Sequence, residues 1–296
     1  MVGSGPRTTG AGRRVSAVVD ALSLQLGSLD EPRREASDLL SALLDVPRHW
    51  PTLRQDDAID ADMWKRACMA ASRRARGAPL AYAVGRANFR DLTLDVDERV
   101  LIPRPETELL VDLVLARCSA GGAAADVGTG SGALAIALAR EGRFEHVVGV
   151  DISSDALDVA RTNARYYAAM TRTTMSFVQG DLLPPAAVVR PLAVIVSNPP
   201  YISYGEINEL PPSVRDWEPA VALLSPGDGM QTTARLVRRA AEALAPGGLL
   251  ALETDARRAS LTAELLATDA RYDNVAVHLD LTGRERFVLA NRREHK

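Results

Sequence analysis

Ala123-Ala-Ala-Asp-Val-Gly-Thr-Gly-Ser-Gly-Ala-Leu-Ala-Ile-Ala-Leu-Ala-Arg140 is the stretch that decides the fold. Residues 123–127 read as a short apolar strand, 128–132 as a glycine loop, and 133–140 as a helix. Glycines at a strand-to-helix turn let the backbone approach a ligand closely. The spacing is G-x-G-x-G with Ala133 following, which is not the strict dinucleotide fingerprint. Asp126, ahead of the loop, repels a pyrophosphate and suits a ligand that carries an ammonium group.

Strands and helices alternate from there onward. Residues 146–150 read as a strand ending at Asp151, followed by a helix to about 167. Further strands are expected near 175–178, 192–196 and 248–253, with a helix over 232–244. Two last strands, 275–279 and 286–289, flank Thr282-Gly283 as a terminal antiparallel hairpin. Such alternation implies a mostly parallel, seven-stranded, Rossmann-like α/β sheet.

Asp151 lies nineteen residues after Gly132, where such a sheet sets a carboxylate against ribose hydroxyls. Asp181 follows the third strand, placed for an adenine amino group, with Leu182 over the ring. The expected cofactor residues are Asp126, Val127, Gly128, Thr129, Gly130 and Gly132, then Asp151 with Ile152, Asp181 with Leu182, and Asn198. Three successive strand ends suit a nucleoside cofactor, either a dinucleotide or S-adenosylmethionine. Asp126 and the fourth strand end favour the second.

That strand end is Asn198-Pro-Pro-Tyr201. The prolines fix φ and remove backbone donors, leaving carbonyls free to face a site. The Asn198 amide and these carbonyls can accept hydrogen bonds from an NH2 group, and the Tyr201 ring can pack on its plane. This chemistry suits methyl transfer onto an amide or exocyclic amino nitrogen. Asn198, Pro199 and Tyr201 are the catalytic candidates, and Asn198, Pro199, Pro200 and Tyr201 the acceptor-binding ones.

Upstream, residues 15–77 read as a small helical bundle with runs at 15–22, 37–44 and 61–76, the last with Trp64, Cys68 and Met69 on one face. Residues 78–105 form a β-hairpin linker in which Leu92, Leu94 and Val96 alternate, and 106–296 form the sheet domain. Residues 1–14, rich in Gly, Arg and Thr, read as a disordered tail and not as a signal peptide.

The chain has 296 residues, 47% hydrophobic and 25% charged, which suffices for a sizeable core. A net charge of −3 argues against clamping a long nucleic acid. Cys68 and Cys118 have no metal-ligand spacing and the four histidines are scattered, so neither a metal site nor a Cys/His nucleophile is expected. Lone cysteines fit a reducing cytoplasm. No apolar run reaches membrane-spanning length.

Several segments together resemble the HemK/PrmC family, the peptide chain release factor glutamine methyltransferases. They are Pro79-Leu-Ala-Tyr82 with Gly85, Leu101-Ile-Pro-Arg-Pro-Glu-Thr-Glu108, 126–132, 198–202, Val214-Arg-Asp-Trp-Glu-Pro219 with Ala222-Leu223, and Asp280-Leu-Thr-Gly-Arg-Glu-Arg286. Asn-Pro-Pro-Tyr is shared with amino-methylating DNA and RNA enzymes; the segments around Arg104 and Trp217 are more specific. The resemblance implies methyl transfer from S-adenosylmethionine, leaving S-adenosylhomocysteine, to the side-chain amide nitrogen (N5) of the glutamine in the Gly-Gly-Gln loop of class 1 release factors. It also implies a helical domain that helps seat the release factor. The chain is further expected to be a cytoplasmic monomer in which Arg104 and Glu106 order the linker near the site. Relatives often carry an aromatic at Leu182 and Ile-Gly at Thr254-Asp255. Alternative readings are an adenine N6-methyltransferase acting on DNA or RNA, a glutamine methyltransferase acting on a ribosomal protein, and a non-catalytic binding module.

Overall fold

The computed structural model describes residues 12–118, 121–184 and 191–294. The chain divides into two compact units, Met1–Arg86 and Ala87–Lys296.

The first unit contains β1 (Arg13–Arg14), α1 (Val15–Gln25), α2 (Pro32–Leu44), α3 (Trp50–Leu53), β2 (Ala58–Ile59), α4 (Ala61–Ala75) and α5 (Leu80–Val84). Of the stretch read as a tail, 1–11 lie outside the described residues. Arg13–Arg14 instead pair antiparallel with Ala58–Ile59, and the Arg13 guanidinium lies 4.6 Å from the Trp64 ring centroid. A cation over an indole face holds that short strand in place. Helix α2 begins on Pro32 and ends at Asp45 in the left-handed conformation. Asp60 caps α4 by accepting from the Met63 N–H at 2.7 Å.

Leu22, Leu39 and Leu40 are fully buried against Ala67, Ala70 and Ala71 of α4. The alanines allow close helix approach, and each buried leucine contributes about 1.5–3 kcal/mol. Met69 does not share that face: it is 62% exposed, because the apolar stripe of α4 runs through its small alanines. Arg74 forks onto Glu35 at 2.8 and 2.9 Å and ties α4 to α2.

Next come β3 (Arg86–Phe89), β4 (Leu92–Asp95) and α6 (Pro105–Leu115), then β5 (Ala123–Val127), α7 (Ala133–Glu141), β6 (His146–Asp151), α8 (Ser154–Tyr167), β7 (Thr174–Gln179) and β8 (Leu192–Ser197). The chain continues with α9 (Pro212–Arg215), α10 (Ala220–Leu223), α11 (Gln231–Ala243), β9 (Leu244–Glu253), α12 (Ala259–Thr268), β10 (Tyr272–Leu279) and β11 (Glu285–Arg292). β3 and β4 pair as a separate two-stranded sheet, on which Leu92, Leu94 and Val96 are buried.

The seven-stranded sheet has the order β10-β11-β9-β8-β5-β6-β7. The pairs from β9 through β7 are parallel, and β11 is antiparallel to both β9 and β10. The last hairpin therefore does not simply extend the edge. Its second strand inserts beside β9 and leaves β10 outermost, which buries Phe287, Val288 and Leu289 completely or nearly so. β9 starts at Leu244, earlier than the apolar run indicates, and a register shift against β8 absorbs the glycine pair Gly247-Gly248.

Side chains alternate across the sheet. Val147, Val194, Leu249 and Phe287 face a core with Leu110, Leu134 and Ile136. Val148, Ile195, Leu250 and Val288 face the opposite core with Leu236, Val237 and Leu266. Period-two alternation on a sheet covered on both faces gives this three-layer arrangement. From β5 the chain winds outward through β6 and β7, then returns to β8 on the other side. The crevice between β5 and β8 is the topological switch point, where ligands bind such sheets.

Candidate active site

Two sequence motifs meet at that switch point. Val127 ends β5 in register with Ser197 at the end of β8, and the Ser197 hydroxyl donates to the Val127 carbonyl at 2.6 Å. The glycine loop and Asn198 therefore leave the sheet side by side. A cleft with about 970 Å³ of open space lies over these strand ends, bordered by Gly128, Gly130, Asp151, Ile152, Asp181, Leu182, Asn198 and Pro200.

Gly128 and Gly130 have φ of +74° and +53°, and a Cβ on either would project into empty space. This is a backbone cradle open to the cleft. Gly132 instead admits Ala160 of α8, 3.3 Å from where its Cβ would lie.

Asp126 does not border the cleft. It is 1% exposed, and its Oδ2 accepts from the Thr129 hydroxyl at 2.7 Å and the Ala135 N–H at 3.1 Å. It thus stitches the loop to the start of α7, while its Oδ1 is buried with no partner. Burial pushes its carboxyl up to about 7 against the pull of those two hydrogen bonds. Asp151 does border the cleft, and its oxygens accept from the Gly130 and Ser153 N–H groups, both at 2.9 Å. It braces the loop with free lone pairs still available. Asp181 lies at the rim, ion-paired with Arg235 of α11, which also borders the cleft. Leu182 is in the left-handed region, φ +60°, which turns it along the cleft wall.

Asn198, Pro199, Pro200 and Tyr201 divide between two cavities. A second cavity adjoins the first and is bordered by Leu101, Arg104, Asn198, Tyr201, Ile202, Leu210, Val214, Ala222 and Leu223. Asn198 borders both, Pro200 only the first and Tyr201 only the second, while Pro199 is buried and borders neither. Burial, with the nearby Glu253 carboxylate, pushes the Tyr201 phenol up to about 12. Tyr201 is thus a neutral ring at ordinary pH.

Arg104 is expected from sequence to order the linker; its partner and the other residues that hold this half have no role assigned from sequence. Arg104 donates to Glu218 at 2.6 Å, and the other Glu218 oxygen accepts from the Ile102 N–H at 3.2 Å. That bond joins the Pro-Arg-Pro segment to the Trp217-Glu218-Pro219 segment. Ser203 and Glu206 form a reciprocal capping box just after Tyr201. Burial alone would raise Glu206, but bonds from Ser203 and Arg258 pull it down to about 2. Arg258 also donates to the Asp228 carbonyl at 2.9 Å and pairs with Asp255 at 2.7 Å. That pairing accounts for Asp255, which also accepts from the Arg258 N–H at the start of α12. Beyond the segments around Arg104 and Trp217, Ser203-x-x-Glu206 is a legible capping signal among these. Thr107 and Glu253 lie behind Asn198: the Asn198 Nδ2 donates to Thr107 Oγ1 at 3.5 Å.

Among the described residues, no group of three or more His, Cys, Asp or Glu is placed to hold a metal ion. No helix among them is long and apolar enough to cross a membrane.

Comparison with known proteins adds a family context. Residues 18–85 match the family described as the PrmC N-terminal domain, and residues 105–210 the methyltransferase small domain. Release factor glutamine methyltransferase of Gloeobacter violaceus is 38% identical over 86% of this chain and 89% of its own length. The proteins of that name from Moorella thermoacetica and Deinococcus radiodurans are each 39% identical, over 92% and 91% of this chain and 95% and 94% of their own. A methyltransferase of known structure from Pyrococcus furiosus superposes with a TM-score of 0.51 at 19% identity, covering 70% of this chain and 91% of its own, which supports the fold.

Proposed function

The chain belongs to the release factor glutamine methyltransferases, and on that premise we propose that Asn198 to Tyr201 seat the acceptor glutamine of the Gly-Gly-Gln loop of a class 1 release factor. It is an S-adenosylmethionine-dependent methyltransferase acting on a protein glutamine.

The residues present suit that cofactor. The open cradle at Gly128 and Gly130 admits a ligand against bare backbone. Asp151 offers carboxylate lone pairs to ribose hydroxyls, Ile152 and Leu182 offer apolar cover, and the buried, unpartnered Asp126 Oδ1 favours a nearby positive charge. S-adenosylmethionine would supply the methyl group and a neutral thioether leaving group, and once the N–C bond forms the amide nitrogen gives up one of its two protons to water.

The observation that carries the reading is the position of Asn198 on the wall shared by two adjoining cavities. One cavity holds the donor side, and the other, lined by Tyr201, takes the acceptor. An amide nitrogen is a poor nucleophile because its lone pair is delocalised into the carbonyl. Hydrogen-bond acceptors on its two N–H bonds localise that pair on nitrogen; Asn198 Oδ1 is the one on the shared wall, and the Pro199 carbonyl would serve as the second only by turning toward the seated amide. Tyr201, neutral and half-buried, packs on the amide plane. Orientation and exclusion of water then supply most of the acceleration, an effect of several kcal/mol.

Incubating the protein with a purified class 1 release factor and isotopically labelled S-adenosylmethionine, followed by peptide mass spectrometry, tests this. A methyl on the Gly-Gly-Gln glutamine is expected. Label on adenine in DNA or RNA, or on a ribosomal protein instead of the release factor, would overturn the acceptor assignment.

A further inference from the structure

We propose that Glu253, acting through Thr107, fixes which way the Asn198 side-chain amide faces, and so sets the second cavity to accept N–H groups. The proposal rests on the acceptor reading above and gives Glu253 and Thr107 positioning roles behind it.

Leu252 pairs with Ser197 across β9 and β8, so Glu253 and Asn198 are the next residues on neighbouring strands. Glu253 is 2% exposed and Thr107, in the first turn of α6, 5%. The Thr107 hydroxyl is placed to donate to the Glu253 carboxylate, whose charged form it favours, and the same oxygen receives the Asn198 Nδ2 at 3.5 Å.

A hydroxyl has one proton, and an ionised carboxylate can only accept. With Glu253 ionised, the Thr107 proton is committed to it, so Thr107 can only accept from Asn198. Asn198 must then turn its NH2 inward and its Oδ1 toward the cavities it borders. That is the polarity an incoming NH2 group needs. One proton on Glu253 reverses the chain: the carboxylic acid donates to Thr107, Thr107 donates to Asn198, and the amide presents NH2 outward. That proton has to sit on the oxygen that faces Thr107, since the other Glu253 oxygen is buried without a partner.

Burial holds Glu253 near 7, against the Thr107 hydrogen bond. Arg286 on β11 and Arg104 lower it, while Glu106 on α6 raises it. Tyr201 faces it as a neutral phenol.

The test uses the full chain with Thr107→Val, Thr107→Ser and Glu253→Gln, release-factor turnover from pH 5.5 to 9, and calorimetric S-adenosylmethionine binding. A second readout is the Asn198 side-chain NH2 resonance, assigned by its absence in Asn198→Asp. Wild-type turnover should rise through about pH 7, and the Asn198 resonance should titrate with it. Thr107→Val should lose about tenfold in turnover above pH 8, the order expected of one hydrogen bond, and lose the titration. Cofactor affinity and KM for the release factor should hold. Thr107→Ser should restore both properties, and Glu253→Gln should be flat in pH.

Wild-type pH profiles in Thr107→Val and Glu253→Gln would overturn the proposal. If the wild type labels no release factor, the acceptor reading falls, and the resonance still decides the relay: a pH-independent Asn198 signal overturns it and a titrating one upholds it.

Discussion

The two halves of the cleft are built differently. The glycine-loop half is held by bonds between residues close in the chain: Ser153 to Asp151 at a separation of 2, Thr129 to Asp126 at 3, Ala135 to Asp126 at 9, and Gly130 to Asp151 at 21. Apart from the local Ser203–Glu206 capping box, the Asn198 half is held by contacts across 52, 91 and 114 residues, from Arg258 to Glu206, Asn198 to Thr107 and Arg104 to Glu218. A cofactor site needs a backbone shape, which a local motif can encode. An acceptor site needs side chains aimed by partners, and those partners arrive only when distant elements dock.

Asn198→Ala should break this comparison most sharply. Turnover is expected to fall on the order of a hundred- to thousandfold, as when a preorganised polar contact is lost. Cofactor affinity should change far less. Equal loss of both, in single-turnover assays and calorimetry, would mean that the halves are not separate.

Two glycines allow a crossed test. A Cβ at Gly149 would lie 2.6 Å from the Phe177 ring and 2.8 Å from Thr129 Oγ1, on the glycine-loop side. A Cβ at Gly229, φ +91°, would lie 2.0 Å from the Tyr201 carbonyl. Each alanine substitution should cost up to about 3 kcal/mol of stability by overpacking or strain. Gly149→Ala should weaken cofactor binding, whereas Gly229→Ala should lower turnover with binding retained. Loss of the same parameter in both variants would contradict the division.

Glu218→Gln should reduce stability by about 2 kcal/mol, since it leaves Arg104 without a charged partner in a partly buried position. Its effect on turnover should exceed its effect on cofactor affinity, measured by denaturant melts alongside kinetics.

A separate expected effect is on the pH dependence of stability. Asp126 and Glu253 both sit near 7, above their ordinary values, chiefly through burial. The native state therefore holds protons that the unfolded chain releases near pH 4, and stability should decline as pH rises from about 4 to about 7. Glu206, held at about 2, has the opposite sign: its contribution is present above about 4.5 and is lost as pH falls toward 2. Thermal melts across pH 3 to 8 should show a shallower decline above pH 4 in Glu253→Gln; an unchanged slope would count against the buried carboxylate as its source.

Much of the fold was legible because its signals are local. The alanine strand, the glycine loop and the apolar runs of β6, β8 and β9 each carry their own pattern. The sequence reading went astray where packing overrides pattern. Met69 suits a helix face, yet the neighbouring alanines are the ones that pack. The order of the last two strands follows from the apolarity of β11, which gains more burial beside β9 than at the edge. α12 had no distinct pattern and is started by Asp255 and Arg258.

The sequence by itself determined the class of sheet, the position of the cofactor loop, and Asn198-Pro-Pro-Tyr201 as the acceptor candidate, because residue type and spacing within one turn encode these. Only the tertiary structure decided that Asn198 lies on the wall between two cavities and that Thr107, Glu253, Glu218 and Arg258 stand behind that site. Those relations depend on strand order and register, which bring together residues that no local pattern relates.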